Sequence, residues 1–298
     1  MVAGLDKRGA LLVFGAAAVW SFGGAIARYL TVSDSWTIIF WRSVCAAAFL
    51  LGFMLWRNGP RGTRALFASM GFAGIGVGMC FATASILFVV ALRYTTVANI
   101  LLMQAGAPLF AALLTFLFFG ERISNATWVA IAAVMGGVGI MVSDALAGRI
   151  SPMGDGLAII MSIAFASAAV LTRRHANVGM MPAVFLGTVI AVAIAASQAT
   201  DLHVSLRDAG LLFVFGALNL ALGMVLFVTG VRLLPAAIAA LISTAEPVLG
   251  PVWVWLVHKE IPNSRTLVGG AVVVVALLLH IGWQFRQQQQ VASVPLAD

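Results

Sequence analysis

One offset of 139 residues aligns two parts of this sequence without a gap, residues 91–142 with residues 230–281. Each copy reads as an Arg, an apolar stretch with a Pro near its middle, a Glu just past the end and a second apolar stretch. The matched pairs are Arg93 with Arg232, Pro108 with Pro247, and Glu121 with Glu260. An internal repeat of this length predicts a chain built from two similar halves.

The composition decides the solvent in which these halves fold. Mean hydropathy is +1.07 and only 9% of the residues are charged, so a soluble fold would lack the polar residues needed to cover its surface. A lipid bilayer accepts such a surface. The net charge of +7 comes mostly from Arg residues spaced between apolar runs, so we predict loop charges that orient the spans and no nucleic-acid partner.

Ten apolar runs have about the 20 residues that a helix needs to cross the hydrocarbon. Backbone groups inside a bilayer must pair within their own segment, so the predicted fold class is all-α, a polytopic membrane protein with ten transmembrane helices. The predicted spans are 9–29, 36–56, 66–92, 97–119, 126–143, 155–173, 181–199, 209–231, 236–257 and 266–284.

The repeat offset corresponds to five spans, an odd number, so the second copy must lie upside down relative to the first. We therefore predict two inverted five-helix halves, 9–143 and 155–284, followed by a disordered tail, 285–298. The bias of Lys and Arg among the alternating loops places both termini in the cytoplasm and Arg42 toward the outer face.

Several short motifs, taken in order, resemble the drug/metabolite transporter superfamily in its EamA-type branch. They are Phe40-Trp41-Arg42, Ala91 to Thr95, Pro108 with Gly120-Glu121-Arg122, Ser167 to Arg174, Glu246-Pro247 and Lys259-Glu260. The resemblance implies a multi-pass protein of the bacterial inner membrane that exports small metabolites. The run Thr244 to Pro251, with Trp253 and Trp255, is similar to the aromatic amino acid exporters of that branch.

The two prolines of the repeat predict a pair of broken helices. A proline has no N–H to donate to the carbonyl four residues earlier, so Pro108 leaves the carbonyl of Gln104 free and Pro247 that of Ser243. Broken helices near the membrane midplane line the sites of many transporters, where a substrate ammonium could bind such carbonyls. The alternative is that neighbouring side chains satisfy them and the prolines only bend the helices.

Glu246 is the carboxylate that we place near the middle of a span. An ionised acid at that depth costs about 2.5–3.5 kcal/mol, so it must be paired, hydrated or protonated. Protons as a coupling ion, a cap on the backbone loosened by Pro247, and a contact with Arg42 or another helix all remain open.

We expect a central cavity bounded by the first, third, fourth, sixth, eighth and ninth spans, with apolar walls and a few polar anchors. The substrate-binding candidates are Trp20, Met79, Thr83, Asn99, Met103, Gln104, Phe165, Asn219, Ser243 and Glu246. The hinge candidates are Gly23, Gly24, Pro108 and Pro247.

The sequence offers no catalytic constellation, metal-ligand cluster or cofactor motif, so we expect a monomeric transporter with no enzyme activity, cofactor or metal. The expected partners are a small-molecule substrate and the lipid bilayer. Exporters of nucleobases, sugar derivatives or drugs, and a membrane receptor that does not transport, remain alternatives.

Overall fold

The structure, a computed structural model, describes residues 6–91, 93–95, 100, 103–120, 123–146, 151–259 and 264–292. Regular secondary structure in these ranges is helical, with no strand, which confirms the all-α class there. The bounds below follow chain order. The candidate binding residue Asn99 and the repeat residues Glu121 and Glu260 lie outside the described residues.

The first predicted span is a broken helix. Helix α1, Lys7–Ser21, begins at an Asp6 cap, whose carboxylate accepts from the backbone N–H of Arg8 at 2.7 Å. After Phe22 the chain continues as the short helix α2, Gly23–Ala27. The break therefore directly precedes Gly23-Gly24, the pair predicted to allow bending.

Helix α3, Ser35–Ala91, has 57 residues and would be about 86 Å long if straight, nearly three times the hydrocarbon thickness of a bilayer. The backbone turns within it at Gly59 and Gly71, where φ is +65° and +54°. Glycine adopts these angles without a steric penalty. The segment is thus too long for one crossing and has room for the two spans predicted at 36–56 and 66–92.

A turn at Ala105 and Gly106 precedes helix α4, Ala107–Phe119, and helix α5, Asn125–Leu146, follows it. The helices of the second half are α6, Pro152–Arg174; α7, Met181–Gln198; α8, Leu206–Phe213; α9, Leu222–Gly230; α10, Ala236–Ser243; α11, Ala245–His258; and α12, Ser264–Ala292. A π-helical segment, Val214–Ala221, joins α8 to α9, and a 3₁₀ turn, Val231–Leu233, follows α9.

The last helix extends past its predicted end at 284, so the part of the predicted disordered tail up to Ala292 is helical instead. The tail contains four consecutive Gln residues, which are good helix formers, and no Gly or Pro before Ala292 interrupts it. Residues 293–298 lie outside the described part of the chain.

Seven helical segments of the described chain are long and apolar enough to cross a membrane, and α4 and the first part of α5 are shorter apolar helices. Large apolar side chains also cover the outside of the bundle, including Phe72 at 93% exposed and Leu117 at 72%. Such a surface suits lipid and not water. The division into ten spans and two inverted repeats remains a prediction.

Small residues let the helices pack closely. A Cβ atom on Gly78 of α3 would lie 2.7 Å from the backbone oxygen of Ala183 in α7, and one on Gly187 would lie 2.8 Å from the backbone oxygen of Gly78. In the same way a Cβ on Gly137 of α5 would lie 2.9 Å from the backbone oxygen of Gly269 in α12. These glycines bring backbones together where no side chain fits. The helices α5 and α12 thus pack on each other.

Candidate functional site

The two proline-containing segments are both broken, at positions related by the repeat offset. In the first copy the turn at Ala105–Gly106 precedes α4, which has Pro108 in its first turn. In the second copy Thr244 separates α10 from α11, which has Pro247 in its first turn. A proline is well tolerated there because the N–H it lacks has no partner in the helix. Thr244 itself keeps right-handed helical angles, φ −68° and ψ −2°, so the second segment is interrupted by a single residue.

A cavity lies between these two breaks, with about 240 Å³ of empty space including the part open to the outside. It is lined by Gln104, Ala105, Ala107, Phe165, Ala240, Ser243, Thr244 and Pro247. The residues come from both broken segments and from α6. The part of this space open to the centre of a water molecule is only about 10 Å³. The cavity in this conformation therefore has room for about one water molecule and not for a drug-sized ligand.

Two polar side chains join the broken segments beside this cavity: Gln104, which lines it, and the predicted binding residue Glu246, which is not among its lining residues. The amide nitrogen Nε2 of Gln104 donates to the carboxylate Oε2 of Glu246 at 3.3 Å. Glu246 lies in the first turn of α11, directly before Pro247. The positive end of the helix dipole stabilises a carboxylate at this position. Of the contacts considered for Glu246, with Arg42 or with another helix, the described residues show the second, since Gln104 holds the carboxylate while Ser85 holds the Arg42 guanidinium.

Ser243 and Thr244 close the end of α10 with their own hydroxyl groups. The Ser243 hydroxyl donates to the backbone oxygen of Ala239 at 3.0 Å, and the Thr244 hydroxyl donates to that of Leu241 at 2.5 Å. Both hydroxyls therefore satisfy carbonyls of the preceding turn. Sequence reasoning named Ser243 but missed Thr244, which lines the cavity too. The signal in the sequence was its position two residues before Glu246.

An aromatic cluster forms the apolar wall beside the cavity. Phe165, which lines the cavity, packs its ring against Phe227 at 4.9 Å and against Trp20 at 6.0 Å between ring centroids. Phe81 completes the cluster at 6.3 Å from Phe165. Such a cluster could accept a planar apolar group by offset or edge-to-face contact. Two of the four residues, Trp20 and Phe165, were predicted as site residues.

Asn219 holds the broken first helix. It lies on the π-helical segment Val214–Ala221, and its amide nitrogen Nδ2 donates to the backbone oxygens of Val19 at 2.5 Å and of Trp20 at 3.2 Å. These carbonyls end α1, so Asn219 supplies donors where the helix stops. Segments of π-helix often occur at functional sites. The predicted ligand role of Asn219 is therefore not evident here, because its amide is bonded to backbone.

A second contact closes the break from the side of α11. The Trp253 ring stacks on Phe22, the residue at the break, with 4.0 Å between centroids. Its indole Nε1 donates to the hydroxyl of Ser21 at 2.8 Å. The break in the first helix is thus fixed between Asn219 and Trp253.

The remaining candidates do not line the described cavity. Met79 is half exposed on α3, and Thr83 is partly exposed one turn further along. Met103 packs in a cluster with α6 while its backbone oxygen accepts from Ser162 at 2.9 Å. Asn99 lies outside the described residues. The described lining also contains no residue of the predicted first, third or eighth spans.

Arg42 was expected as a motif residue, a charge toward the outer face and a possible partner of Glu246, but not as a binding residue; it is 6% exposed within α3. Its Nη2 donates to the Ser85 hydroxyl at 2.8 Å, and its guanidinium lies 5.2 Å above the centre of the Phe215 ring. An arginine inside an apolar run was the available signal, because charges in spans are expensive. No group of His, Cys, Asp or Glu in the described residues could hold a metal ion.

An all-helical chain with an apolar outer surface and a small polar cavity between two helix breaks defines a multi-pass membrane protein with an internal site. The family model of the EamA-like transporter family matches residues 7–143 and again residues 152–282. The chain therefore belongs to the EamA-like transporter family, a family of transporters and not of enzymes.

Two relatives from Pseudomonas aeruginosa, each named pseudopaline exporter CntI, align over 93% of this chain and 97% of their own length. The protein of strain UCBPP-PA14 is 26% identical to this chain and that of strain PAO1 is 28% identical. A solved crystal structure superposes over 91% of this chain and 96% of its own with a TM-score of 0.77 at 17% identity, which shows a shared fold. The relatives are named for pseudopaline and not for aromatic amino acids.

Proposed function

We propose that this protein is a secondary transporter that exports small amphipathic metabolites, with aromatic or other neutral amino acids as its substrates. The observation that carries the proposal is the Gln104–Glu246 hydrogen bond at a cavity between two repeat-related helix breaks. A carboxylate held by an amide is a partner for a substrate ammonium, and a cationic group there would also offset the cost of a buried charge. The aromatic cluster around Phe165 would take the apolar side chain.

The small cavity supports an alternating-access mechanism. With room for only about one water molecule, the cavity cannot admit a substrate in this conformation, so the broken segments would have to separate for substrate to enter or leave. Breaks at Phe22, Ala105–Gly106 and Thr244 offer bending points near the predicted hinges Gly23, Gly24, Pro108 and Pro247. Two inverted halves of five helices would then exchange shapes.

The two separate matches of the family model, 7–143 and 152–282, support this division into halves. With it we propose ten spans, a bacterial inner-membrane location and both termini in the cytoplasm. Cysteines added one at a time at the termini, in a chain lacking Cys45 and Cys80, test the arrangement with an impermeant thiol reagent on intact cells. We expect the reagent to label the cysteine at either terminus only after the cells are lysed. Labelling of one terminus in intact cells would contradict an even number of spans.

Counterflow in proteoliposomes tests the substrate. Vesicles loaded with unlabelled phenylalanine should accumulate labelled phenylalanine transiently, and empty vesicles should not. Leucine, uracil, a sugar phosphate and a cationic dye form the comparison set. If no amino acid moves while another class does, the substrate claim fails and the transporter assignment stands.

Pseudopaline is the second candidate substrate, favoured by the two relatives that are named for its export. Adding it to the same counterflow set separates the two candidates. Export of pseudopaline without any movement of phenylalanine would identify pseudopaline, and not an aromatic amino acid, as the substrate.

Proton coupling through Glu246 belongs to the same proposal. Exchange of a proton for a substrate ammonium at one carboxylate would link the two fluxes. A pH gradient imposed across the vesicles should then change the rate in the wild type and leave the rate of Glu246→Gln unchanged. A cap role for Glu246 predicts the same response to the gradient in both proteins.

A further inference from the structure

The guanidinium of Arg42 is a buried cation with few hydrogen-bond partners among the described residues. A guanidinium has five N–H donors. The structure gives Arg42 one hydrogen bond, from Nη2 to the Ser85 hydroxyl at 2.8 Å, and one ring contact, with Phe215. Its Nε is buried and has no hydrogen-bond partner in the described part of the chain.

Among the described residues Arg42 has no anionic partner. No carboxylate of the described residues forms an ion pair with Arg42, whereas Arg93, which is about half exposed, pairs with Asp34 at 3.4 Å. Arg42 is thus the more buried of the two arginines and the one left without a counter-charge. Buried charges in membrane proteins are normally paired, and those that are not usually mark substrate or ion pathways.

The surroundings of Arg42 lead to the broken first helix. Phe215, the ring beneath the guanidinium, lies on the same π-helical segment as Asn219. A Cβ atom on Gly23 would lie 3.3 Å both from the Phe215 ring and from the Asn219 side chain. Gly23 follows the break at Phe22. Arg42 and the Phe215 ring beneath it therefore lie next to one end of this break.

The cavity borders the same break from the other end. Trp20 precedes the break and packs against Phe165, which lines the cavity. One helix break therefore lies between the cavity, whose lining residue Gln104 holds Glu246, and the guanidinium of Arg42. A substrate that passes this break would meet an acidic group on one side and a basic group on the other.

We propose that Arg42, together with Ser85, binds the carboxylate of the transported substrate. A guanidinium presents parallel N–H donors that match the two oxygens of a carboxylate, and the Ser85 hydroxyl holds it in place. The site deepens the proposed function, on which it rests, by giving the substrate carboxylate a binding group on the transport path that is separate from Glu246. The predicted topology puts it on the outer, exit side of the cavity.

Two probes that each carry half of a phenylalanine separate this role from a structural one. 3-Phenylpropionate has the carboxylate without the amine, and 2-phenylethylamine has the amine without the carboxylate. The measurement is the melting temperature of the purified protein in detergent as each probe is titrated, since a ligand that binds the folded state stabilises it. The variants are Arg42→Gln and, as the matched control, Arg93→Gln, which removes an arginine already paired with Asp34.

We expect phenylpropionate to stabilise the wild type and Arg93→Gln equally, and its apparent Kd to rise at least about tenfold in Arg42→Gln. Phenylethylamine should stabilise all three proteins alike. Equal stabilisation of Arg42→Gln and wild type by phenylpropionate would overturn the proposal, as would a wild type that does not respond to phenylpropionate at all.

Two further variants protect the test if Arg42→Gln does not fold. Arg42→Lys keeps the charge but not the planar pair of donors, and Ser85→Ala removes only the hydroxyl that holds the guanidinium. Each should weaken phenylpropionate binding about threefold to tenfold and leave phenylethylamine binding unchanged. Loss of both probes together in these variants would assign Arg42 a structural role and refute the proposal.

Phenylalanine counterflow keeps this proposal distinct from the proposed function. Phenylpropionate could stabilise the wild type through Arg42 while the wild type moves no phenylalanine. In that case the carboxylate site stands and the proposed amino acid substrate is wrong. If phenylalanine counterflow is as fast in Arg42→Lys and Ser85→Ala as in the wild type, the carboxylate site is wrong and transport stands.

Discussion

Gln104 donates a hydrogen bond to Glu246 at 3.3 Å, although the two residues are 142 positions apart and belong to different copies of the internal repeat. Each lies beside the break of its own segment, so the contact ties the two breaks together at the cavity.

The first prediction concerns the charge of Glu246. Replacing it by Gln keeps the size and the contact with Gln104 but removes the anion that would hold a substrate ammonium. Hydrogen bonds to charged groups contribute about 1.5–3 kcal/mol, so phenylalanine counterflow should slow by about tenfold to hundredfold. Gln104→Ala, which leaves the carboxylate in place, should have a smaller effect. Unchanged counterflow in Glu246→Gln would show that the carboxylate does not bind substrate.

The second prediction concerns the breaks themselves. Pro247→Ala restores an N–H that can donate to the carbonyl of Ser243, so α10 and α11 could join into one helix. Transport per unit of inserted protein should therefore fall, while the amount of folded protein stays the same or rises. The expectation for Pro108→Ala is the same, because it begins α4 after the equivalent break.

Pro182→Ala is the matched control for both prolines. Pro182 also lies in the first turn of a helix, α7, but no helix directly precedes it, so the substitution has nothing to join. Its counterflow rate should equal that of the wild type. A loss of transport in Pro182→Ala as large as in Pro247→Ala would mean that the prolines act through general stability and not through the breaks.

The repeat was sufficient to predict where these breaks occur, because proline acts locally on the backbone. It was not sufficient to predict the Gln104–Glu246 contact, since Arg42 was an equally plausible partner for Glu246 before the fold placed Ser85 beside Arg42. A contact between halves depends on how the halves pack.

Met79 shows a second limit of sequence reasoning. In a soluble helix the apolar face points inward, but in a lipid-facing helix both faces are apolar, so the pattern of α3 does not tell which side meets the cavity. Met79 is half exposed on the outside, whereas Phe81, two residues later, is buried against Phe165. The π-helical turn around Asn219 is likewise set by packing, since Gly216 there lies directly against the backbone of Arg42.

The third prediction concerns the packing of α5 on α12. A Cβ at Gly137 would lie 2.8 Å from the Val273 side chain and 2.9 Å from the Gly269 backbone oxygen, so Gly137→Ala should overpack this contact. Overpacking costs about 1–3 kcal/mol. The melting temperature should fall by several degrees.

Gly136→Ala supplies the control within the same turn. A Cβ at Gly136 meets nothing within 4 Å, and alanine is the better helix former, so this variant should melt at the wild-type temperature or slightly above it. Equal melting temperatures for the two alanine variants would show that α5 and α12 do not pack as closely as described.

The last prediction concerns Asn219, whose buried amide donates to the backbone oxygens of Val19 and Trp20 at the break in the first helix. Asn219→Asp keeps the shape but replaces the donor by a carboxylate, which would leave the two carbonyls only the Phe22 backbone N–H and place a negative charge against them. An unsatisfied buried polar group costs about 1–3 kcal/mol, so the melting temperature should fall clearly. Transport should fall as well, because the break that positions Trp20 loses its support. Asn58→Asp is the matched control: Asn58 makes the same kind of bond, from its amide to the backbone oxygen of Met54 at 3.2 Å, but it is exposed, so water can replace the donor. If Asn58→Asp and Asn219→Asp melt alike, Asn219 does not support the break.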